Sequence, residues 1–552
     1  MKHKLLLLAF FFLILTKGQA QWTNDTTLNT EVRDSAGAIS PLCASISNGS
    51  TYICWYEYNG NNLELRMQLL DANGVKQWGS GGIVVSNFPQ NSATYLYDLK
   101  TDHEGNVIVA FQDERNINLQ VVAYKLDING NFLWGNAGIS LADSNSVQDI
   151  APSIGITANN DVYIAWNTED ASKRWIDCQR ISSAGIVQWN SHYSMKDTVG
   201  NLNFYNPSLI PTGTNDMLML FDQGSFSFYG VMYVQKIDAI GNNVWPSAIQ
   251  VSTKTIASYY QPTTISDNAG GFYVSWDTSN PISLSLGDVY VQHVDSSGTI
   301  WSTTGIEAAN STTEHKSTSS SCFVSSSGEF WVLLKIVDGS QTMMGTSVQK
   351  FDAAGNVLLG TNGTVVIPVD PIYFNPMTID DAGNGVIINI LYGTQPGPQR
   401  LKAIKLDYSG APVWANTSVS MCAVMSNKDE VRTGDFLNNN LVLVWQDDRN
   451  GSGIFAQNIT GSGNTGIVTG MPDISENNFS FYPNPSSSPV LSLSEGVNKI
   501  TISDLQGKKL FSAKVNTTSF SINDLSSLPE GIYFISIENE TKKSTVRWCK
   551  AN

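Results

Sequence analysis

Cysteine, histidine and charge are all scarce in this 552-residue chain, and each shortage narrows what it can be. Six cysteines (Cys43, Cys54, Cys178, Cys322, Cys422 and Cys549) are too few for a disulfide scaffold, and none has the CxxC spacing of thiolate metal sites or dithiol redox motifs. Five histidines, His3, His103, His192, His293 and His315, share no ligand spacing and no repeated position. GxSxG, HExxH and phosphate-loop patterns are missing, so no catalytic residue, metal or cofactor is expected. Only 14% of residues are charged, and long helical periodicity is hard to find. Leu5 to Leu15 is an unbroken apolar run of 11 residues, too short for a bilayer span of about 20.

That run follows the basic start MKHK and precedes Gly18-Gln-Ala20, whose small residues fit a cut ahead of Gln21. Residues 1–20 read as a secretory signal, and with no Cys after the cut a lipoprotein is disfavoured. Losing Lys2, Lys4 and Lys17 leaves 29 basic against 48 acidic residues, a formal charge of −19 that repels nucleic acid and anionic membranes. The secreted chain is expected to be a monomer with no transmembrane segment. If Asn48-Gly49 forms a two-residue hairpin turn, Cys43 and Cys54 fall opposite each other, as a bonded pair or as two buried thiols.

What the sequence does have is a repeat. DANGVKQW at 71–78, DINGNFLW at 127–134, DAIGNNVW at 238–245 and DYSGAPVW at 407–414 share one form, and weaker copies fill the gaps. Their first residues are Asp71, Asp127, Ser182, Asp238, Asp295, Asp352, Asp407 and Thr460, spaced 56, 55, 56, 57, 57, 55 and 53, a period that signals an array. Gly stands three residues after every anchor, where a tight turn requires φ > 0. Trp stands seven after it in five units, with Trp301 one residue early and Leu359 in its place in the sixth. Gln precedes the anchor by three in six of eight units: Gln68, Gln179, Gln235, Gln292, Gln349 and Gln457.

Each unit reads as four short antiparallel strands, and the second (NVIVAF, DVYIAW, NLVLVW) is apolar on both faces. Such sheets are sandwiched between like sheets, the arrangement of a β-propeller. The fold class is therefore all-β: an eight-bladed (alternative seven-bladed) β-propeller over 21–469, a linker at 470–476 and a small C-terminal β-sandwich at 477–552. The segment from Trp22 through NTEVRDS aligns with the phrase tryptophan and fourth strand of a unit, so the N-terminal strand is expected to complete the last blade. In DxxGxxxW the Asp caps the turn, Gly takes the left-handed conformation and Trp wedges against the neighbouring blade. A calcium loop beginning DxNGN would need later acidic ligands that are missing. The phrase resembles the Asp-box of sialidase-like propellers, although its aromatic follows Gly by four residues. That resemblance implies architecture only.

The tail, from about 475 to 552, resembles the C-terminal sorting domain of type IX secretion substrates in the Bacteroidetes. The resemblance rests on Tyr482-Pro483-Asn484-Pro485, the turn Asp504 to Lys508, Gly531-Ile-Tyr533 and a basic end at Lys550. It implies passage through the periplasm, recognition by the type IX machinery, and attachment to the outer cell surface or release. The best ligand candidates lie in the loops between second and third strands: Asp113 and Arg115 in QDERN, TED at 168–170, and Asp447 and Arg449 in QDDRN. Asp and Arg together suit sugar hydroxyls or a carboxylate, yet such pairs also hold hairpin ends through local salt bridges. The expectation is a non-catalytic module binding a glycan or surface protein, and the alternative is a glycan-cleaving propeller enzyme.

Overall fold

The computed structural model describes residues 22–466 and 479–550, apart from segments at 35–36, 91–95, 117, 142–145, 225–228, 258–261, 280–286, 395–396, 483–489, 494–497, 505–507, 522–527 and 539–542. The chain divides into two compact units, 1–467 and 468–552. The signal (1–20), the linker (470–476) and Pro483, Asn484 and Pro485 lie outside the described residues. No helix among the described residues is long and apolar enough to cross a membrane.

The first unit contains eight four-stranded antiparallel sheets among the described residues. In blade 1 they are Ala38–Ser45, Thr51–Tyr58, Leu63–Leu70 and Ile83–Ser86, hydrogen-bonded in that order. Blades 2 to 7 span 98–140, 148–195, 203–257, 263–309, 314–370 and 373–426. Blade 8 takes three strands from 428–460 and its fourth, Thr30–Arg33, from the other end of the chain, with Thr30 opposite Ala456 and Arg33 opposite Ile454. Second strands such as Val107–Asp113 are buried along their whole length, because each sheet packs on both faces. Apolar clusters join blade 1 to 2, 2 to 3 and so on around to 8, and a last cluster joins blade 8 to blade 1 through Val32, Ile53, Trp55 and Val444. The ring is shut by packing as well as by the exchanged strand.

Each turn phrase is a bolt between blades. Asp127 Oδ1 accepts the backbone N–H groups of Asn129 (2.9 Å) and Asn131 (2.8 Å), which leaves that oxygen to the turn rather than to calcium. The phrase glycines have φ between +81 and +91°. They lack Cβ for a second reason: at Gly74 and Gly185 it would lie 2.6 Å from the ring of Trp22 or Trp134 of the preceding blade. Those indoles donate across the junction to the carbonyl one residue after the next anchor: Trp78 to Ile128, Trp134 to Ser183, Trp189 to Ala239, Trp301 to Ala353 and Trp414 to Gly461. Trp22 does the same for blade 8, donating to the Ala72 carbonyl at 3.0 Å. The repeated Gln secures the segment that carries the tryptophan: Gln68 accepts from Trp78 N and donates to Gly79 O, and Gln457 donates to Thr23 O across the chain ends.

One repeated feature was not read from the sequence. In six of the eight units a basic residue stands two before the anchor, Leu69 and Asn458 being the exceptions, and it pairs within its blade in Lys125 with Asp102 at 2.8 Å, Lys350 with Glu329 at 2.9 Å, and Arg180 with Asp161. Lys125, Arg180 and Lys405 also donate to the carbonyl that receives the tryptophan, at Ser183, Ala239 and Gly461. The signal was available as a basic residue at the 56-residue period, blurred by its alternation among Lys, Arg and His.

The Cys43–Cys54 register needs correction. Ser45 pairs with Thr51 and Gly49 N bonds Ile46 O, so the loop has three residues where two were expected. Cys43 therefore faces Ile53 while Leu42 faces Cys54. The one-residue slip sends the two thiols to opposite faces of the blade, and both are free.

In the second unit, Phe479–Tyr482, Val490–Leu493 and Ser519–Ser521 form one sheet, and Lys509–Val515, Asn498–Ser503, Gly531–Glu538 and Lys543–Lys550 form another. Leu491, Ile500, Ile502, Tyr533, Ile535 and Trp548 make the core. Gly531 lies opposite Lys550 and Tyr533 opposite Trp548. The Tyr533 hydroxyl donates to Pro529 O (2.9 Å), and the buried Lys550 ammonium donates to Leu528 O (2.5 Å).

Candidate functional site

The first strands of successive blades surround the axis, and their local sequence explains the surface they present there. In blades 1, 3 and 4 the strand bulges at Ser40, Ala151 and Asn206, each with φ near +53° and each followed by proline. The bulge frees one backbone N–H per blade, which the preceding blade accepts from the end of its second strand: Gln446 accepts from Ser40 N, Gln112 from Ala151 N (2.8 Å) and Asn167 from Asn206 N (3.2 Å). At equivalent positions of blades 2, 3 and 4 a short polar side chain reaches the next blade. Asp98 Oδ2 accepts Ile154 N (2.7 Å), Ser153 Oγ accepts Leu209 N (3.3 Å), and the Ser208 and Thr264 hydroxyls bond each other (2.9 Å).

Along blades 2 to 5 this wall encloses a cleft of about 290 Å³. Three proline rings, Pro152, Pro207 and Pro262, alternate there with Ser153, Ser208, Thr264 and Asn206, and Tyr97, Asp98 and Lys100 close one side. Among the described residues of this lining Asp98 is the one carboxylate; Lys100 donates to the Ile154 carbonyl and stands 3.8 Å from Asp98. Neutral donors and acceptors beside flat apolar rings match a ligand that is itself hydroxylated on its edges and apolar on its faces.

The loops singled out from the sequence are built differently. Asp113 is fully buried; Arg115 holds it through Nε and Nη2, both at 2.9 Å, donates to Ala137 O and lies over the Phe88 ring. Asp447, also fully buried, accepts from Arg449, Trp445 and Ser426, with Lys428 at 3.3 Å. Despite its burial, Arg449 and Lys428 hold the Asp447 carboxyl down at about 2. In TED, Thr168 donates to Asp149 or Asp177, and Glu169 pairs with Arg174. None of Asp113, Arg115, Asp447 and Arg449 lines the cleft, and their contacts fasten loop ends within the blade and to the blade before it, where Ser86 donates to Asp113 and Ser426 to Asp447. Sequence alone could not separate the two uses of an Asp-Arg pair, because burial decides between them. The Pro-hydroxyl step of the cleft was visible near the repeat period as APS, NPS and PTT. Among the described residues, no three His, Cys, Asp or Glu gather where they could hold a metal ion.

Residues 480–550 match the family described as secretion system C-terminal sorting domain. No curated protein matches the chain. Among solved structures it is similar to a PL25 polysaccharide lyase, an ulvan lyase bound to a GlcA–Rha3S unit (10% identity, 80% of this chain and 97% of that one, TM-score 0.42). It is also similar to PorZ, a surface component of the type IX secretion system of Porphyromonas gingivalis (11% identity, 92% and 75%, TM-score 0.23), and to a Dyadobacter fermentans protein of unknown function (10% identity, 57% and 94%, TM-score 0.34). At such identities these likenesses concern fold and carry nothing about activity.

Proposed function

We propose that this chain, which carries a type IX sorting domain and is exported to the outer surface or beyond it, uses its propeller as a non-catalytic binding module for a neutral glycan held in the axial cleft. The observation that carries this reading is the lining itself: hydroxyls, an amide and proline rings, with one carboxylate already engaged by the Ile154 N–H. Glycoside hydrolysis by the usual routes needs two carboxyl groups flanking the bond. The test is to offer the full secreted chain a panel of neutral and acidic polysaccharides and follow both retention and product. Retention of a neutral polymer without cleavage, weakened about tenfold by Ser153→Ala with Lys100→Met, is expected. Equal retention by that variant would remove the cleft from the account.

A glycan-cleaving reading draws on a different observation. Burial pushes the Asp380 carboxyl up to about 7, the range of a general acid, and Asp435 on the next blade is raised as well. Release of oligosaccharides by the wild type and its loss in Asp380→Asn would favour that reading. For the tail, deletion of 477–552 is expected to keep the protein from the cell surface; unchanged display would refute its sorting role.

A further inference from the structure

At the outer rim, seven of the eight junctions between blades are plugged by a large aliphatic side chain of the fourth strand. The position is the same in every blade, two residues past the one that pairs with the third strand four residues before the anchor. Val stands there in blades 1, 4, 6 and 8, Leu141 in blade 2, and Met195 and Met421 in blades 3 and 7. Blade 5 has Ala308, in the strand Ile306–Ala309. The facing strand of blade 6, Met344–Phe351, is cut back as well: Ser347 stands where blades 4, 5 and 8 have Tyr233, Tyr290 and Phe455. Between the two strands lies a cavity of about 300 Å³, lined by Ala308, Ala309 and Val357 together with Glu307, Thr361 and Asn362. Ser347 shares a strand face with Gln349, which also lines the cavity, and its buried Oγ has no hydrogen-bond partner among the described residues.

A close-packed interior leaves such a space only by losing contacts, and the other junctions do not leave it. We propose that the cavity between blades 5 and 6 binds an extended peptide of a partner protein. The peptide lends one leucine- or methionine-sized side chain to the place the other blades fill for themselves, with a basic residue beside it. The strand Ile306–Ala309 is the last of its sheet, so its outer backbone groups pair with no other strand. A peptide laid along that edge turns every second side chain toward blade 6, where an aliphatic group meets Ala308, Ala309 and Val357. Asn362 uses Oδ1 on Asn310 N (2.7 Å), which leaves its Nδ2 for a peptide carbonyl. Glu307 accepts from two neutral donors, Asn310 Nδ2 and the Tyr290 hydroxyl (3.0 Å), so its charge is left for a cation. The acid excess of the whole chain adds to that preference.

The site lies on outer strands, so its test does not depend on the axial cleft. Saturation-transfer NMR on the full secreted chain follows acetyl-Leu-Lys-amide as probe, with acetyl-Ser-Lys-amide and isobutanol for comparison. Clear saturation of the leucine peptide is expected in the wild type, falling about fivefold in Ala308→Met and about threefold in Glu307→Gln. Ala308→Met installs the residue of blades 3 and 7 and should unfold no earlier than the wild type. Ser347→Val, the residue of blade 2, closes the cavity from the other wall and decides the matter should the first variant fail to fold. No saturation in the wild type, equal saturation of the leucine and serine peptides, or an unchanged signal in the filled variants overturns the proposal. Isobutanol saturated as strongly as the peptide, with no effect of Glu307→Gln on either, would make the cavity a pocket for small apolar solutes and overturn it too.

Discussion

The corner bolts and the wall of the axial cleft are made from the same eight repeats, and they use repetition in opposite ways. At the corners one solution recurs with few departures: a turn capped by Asp in six units, a glycine seat in all eight, a large side chain from the preceding blade that is tryptophan except at Leu359, and a basic residue beneath it in six. At the axis the backbone step recurs while the side chains change, from Leu42 through Asp98, Ser153 and Ser208 to Arg432. A junction that only has to hold can be copied, whereas a surface that has to discriminate needs different groups at equivalent places. Substitutions at the corners should therefore register as stability, and substitutions at the axis as binding.

The largest effect is expected from the ends of the chain. Deleting residues 22–33 removes the fourth strand of blade 8 and the tryptophan seated on Gly74, and exposes a flat strand edge. Cooperative thermal unfolding should disappear, with soluble aggregates on size exclusion. A monomer that unfolds as sharply as the full chain would show that seven complete blades and a remnant suffice.

Next is the buried carboxylate of blade 8. Asp447→Asn leaves Lys428 and Arg449 without their counter-charge and should cost about 4 kcal/mol at pH 7 in urea titrations. The sign of its pH dependence follows from a folded value of about 2, below the roughly 3.9 of an unfolded aspartate. The stabilisation is complete above about pH 4 and is lost as pH falls toward 2, so wild type and variant should converge in acid. A gap that stays constant down to pH 2 would mean the carboxylate is not the source.

Gly185→Ala comes third, at about 3 kcal/mol, because φ is +85° and the new Cβ would meet Trp134 at 2.6 Å. Gly213→Ala is the control: φ is +60° and its Cβ would meet nothing within 4 Å, so only backbone strain of about 1 kcal/mol should appear. Equal losses at the two glycines would remove the tryptophan from the explanation.

The same contrast explains what could be read from the sequence. The ring, its closure by Trp22 and the strand after it, and the roles of Asp, Gly and Trp were legible because one residue type recurs at one spacing. The basic residue of the bolt was not, since Lys125, Arg180 and His293 each reach a carboxylate of their own blade with a different side chain. The thiol register was missed over a single loop residue, Ser47, which no periodicity reports. Asp113 and Asp447 looked like ligand groups because an Asp-Arg pair reads alike on either side of a surface. The Pro-hydroxyl step was there to be read as a repeat, but not the cleft it builds, since bulges such as those at Ala151 and Asn206, which help to bring the prolines together, leave no mark in the spacing.

The smallest expected effect on stability is the one that sharpens the comparison most. Ser153→Ala removes one acceptor for Leu209 N at 3.3 Å, a long bond at a part-buried site, and should cost about 1 kcal/mol or less. Lys100→Met removes a half-exposed ammonium and should stay within about 0.5 kcal/mol. If the axis is the binding surface, these two substitutions should still weaken retention of a neutral polysaccharide, while Gly185→Ala, at a corner, should leave it unchanged in whatever fraction remains folded. Gly185→Ala would then be the most damaging of the three for stability and the least for affinity. A matching order would mean that the ligand senses only how much protein is folded, and the division between a copied frame and a varied wall would have no functional content.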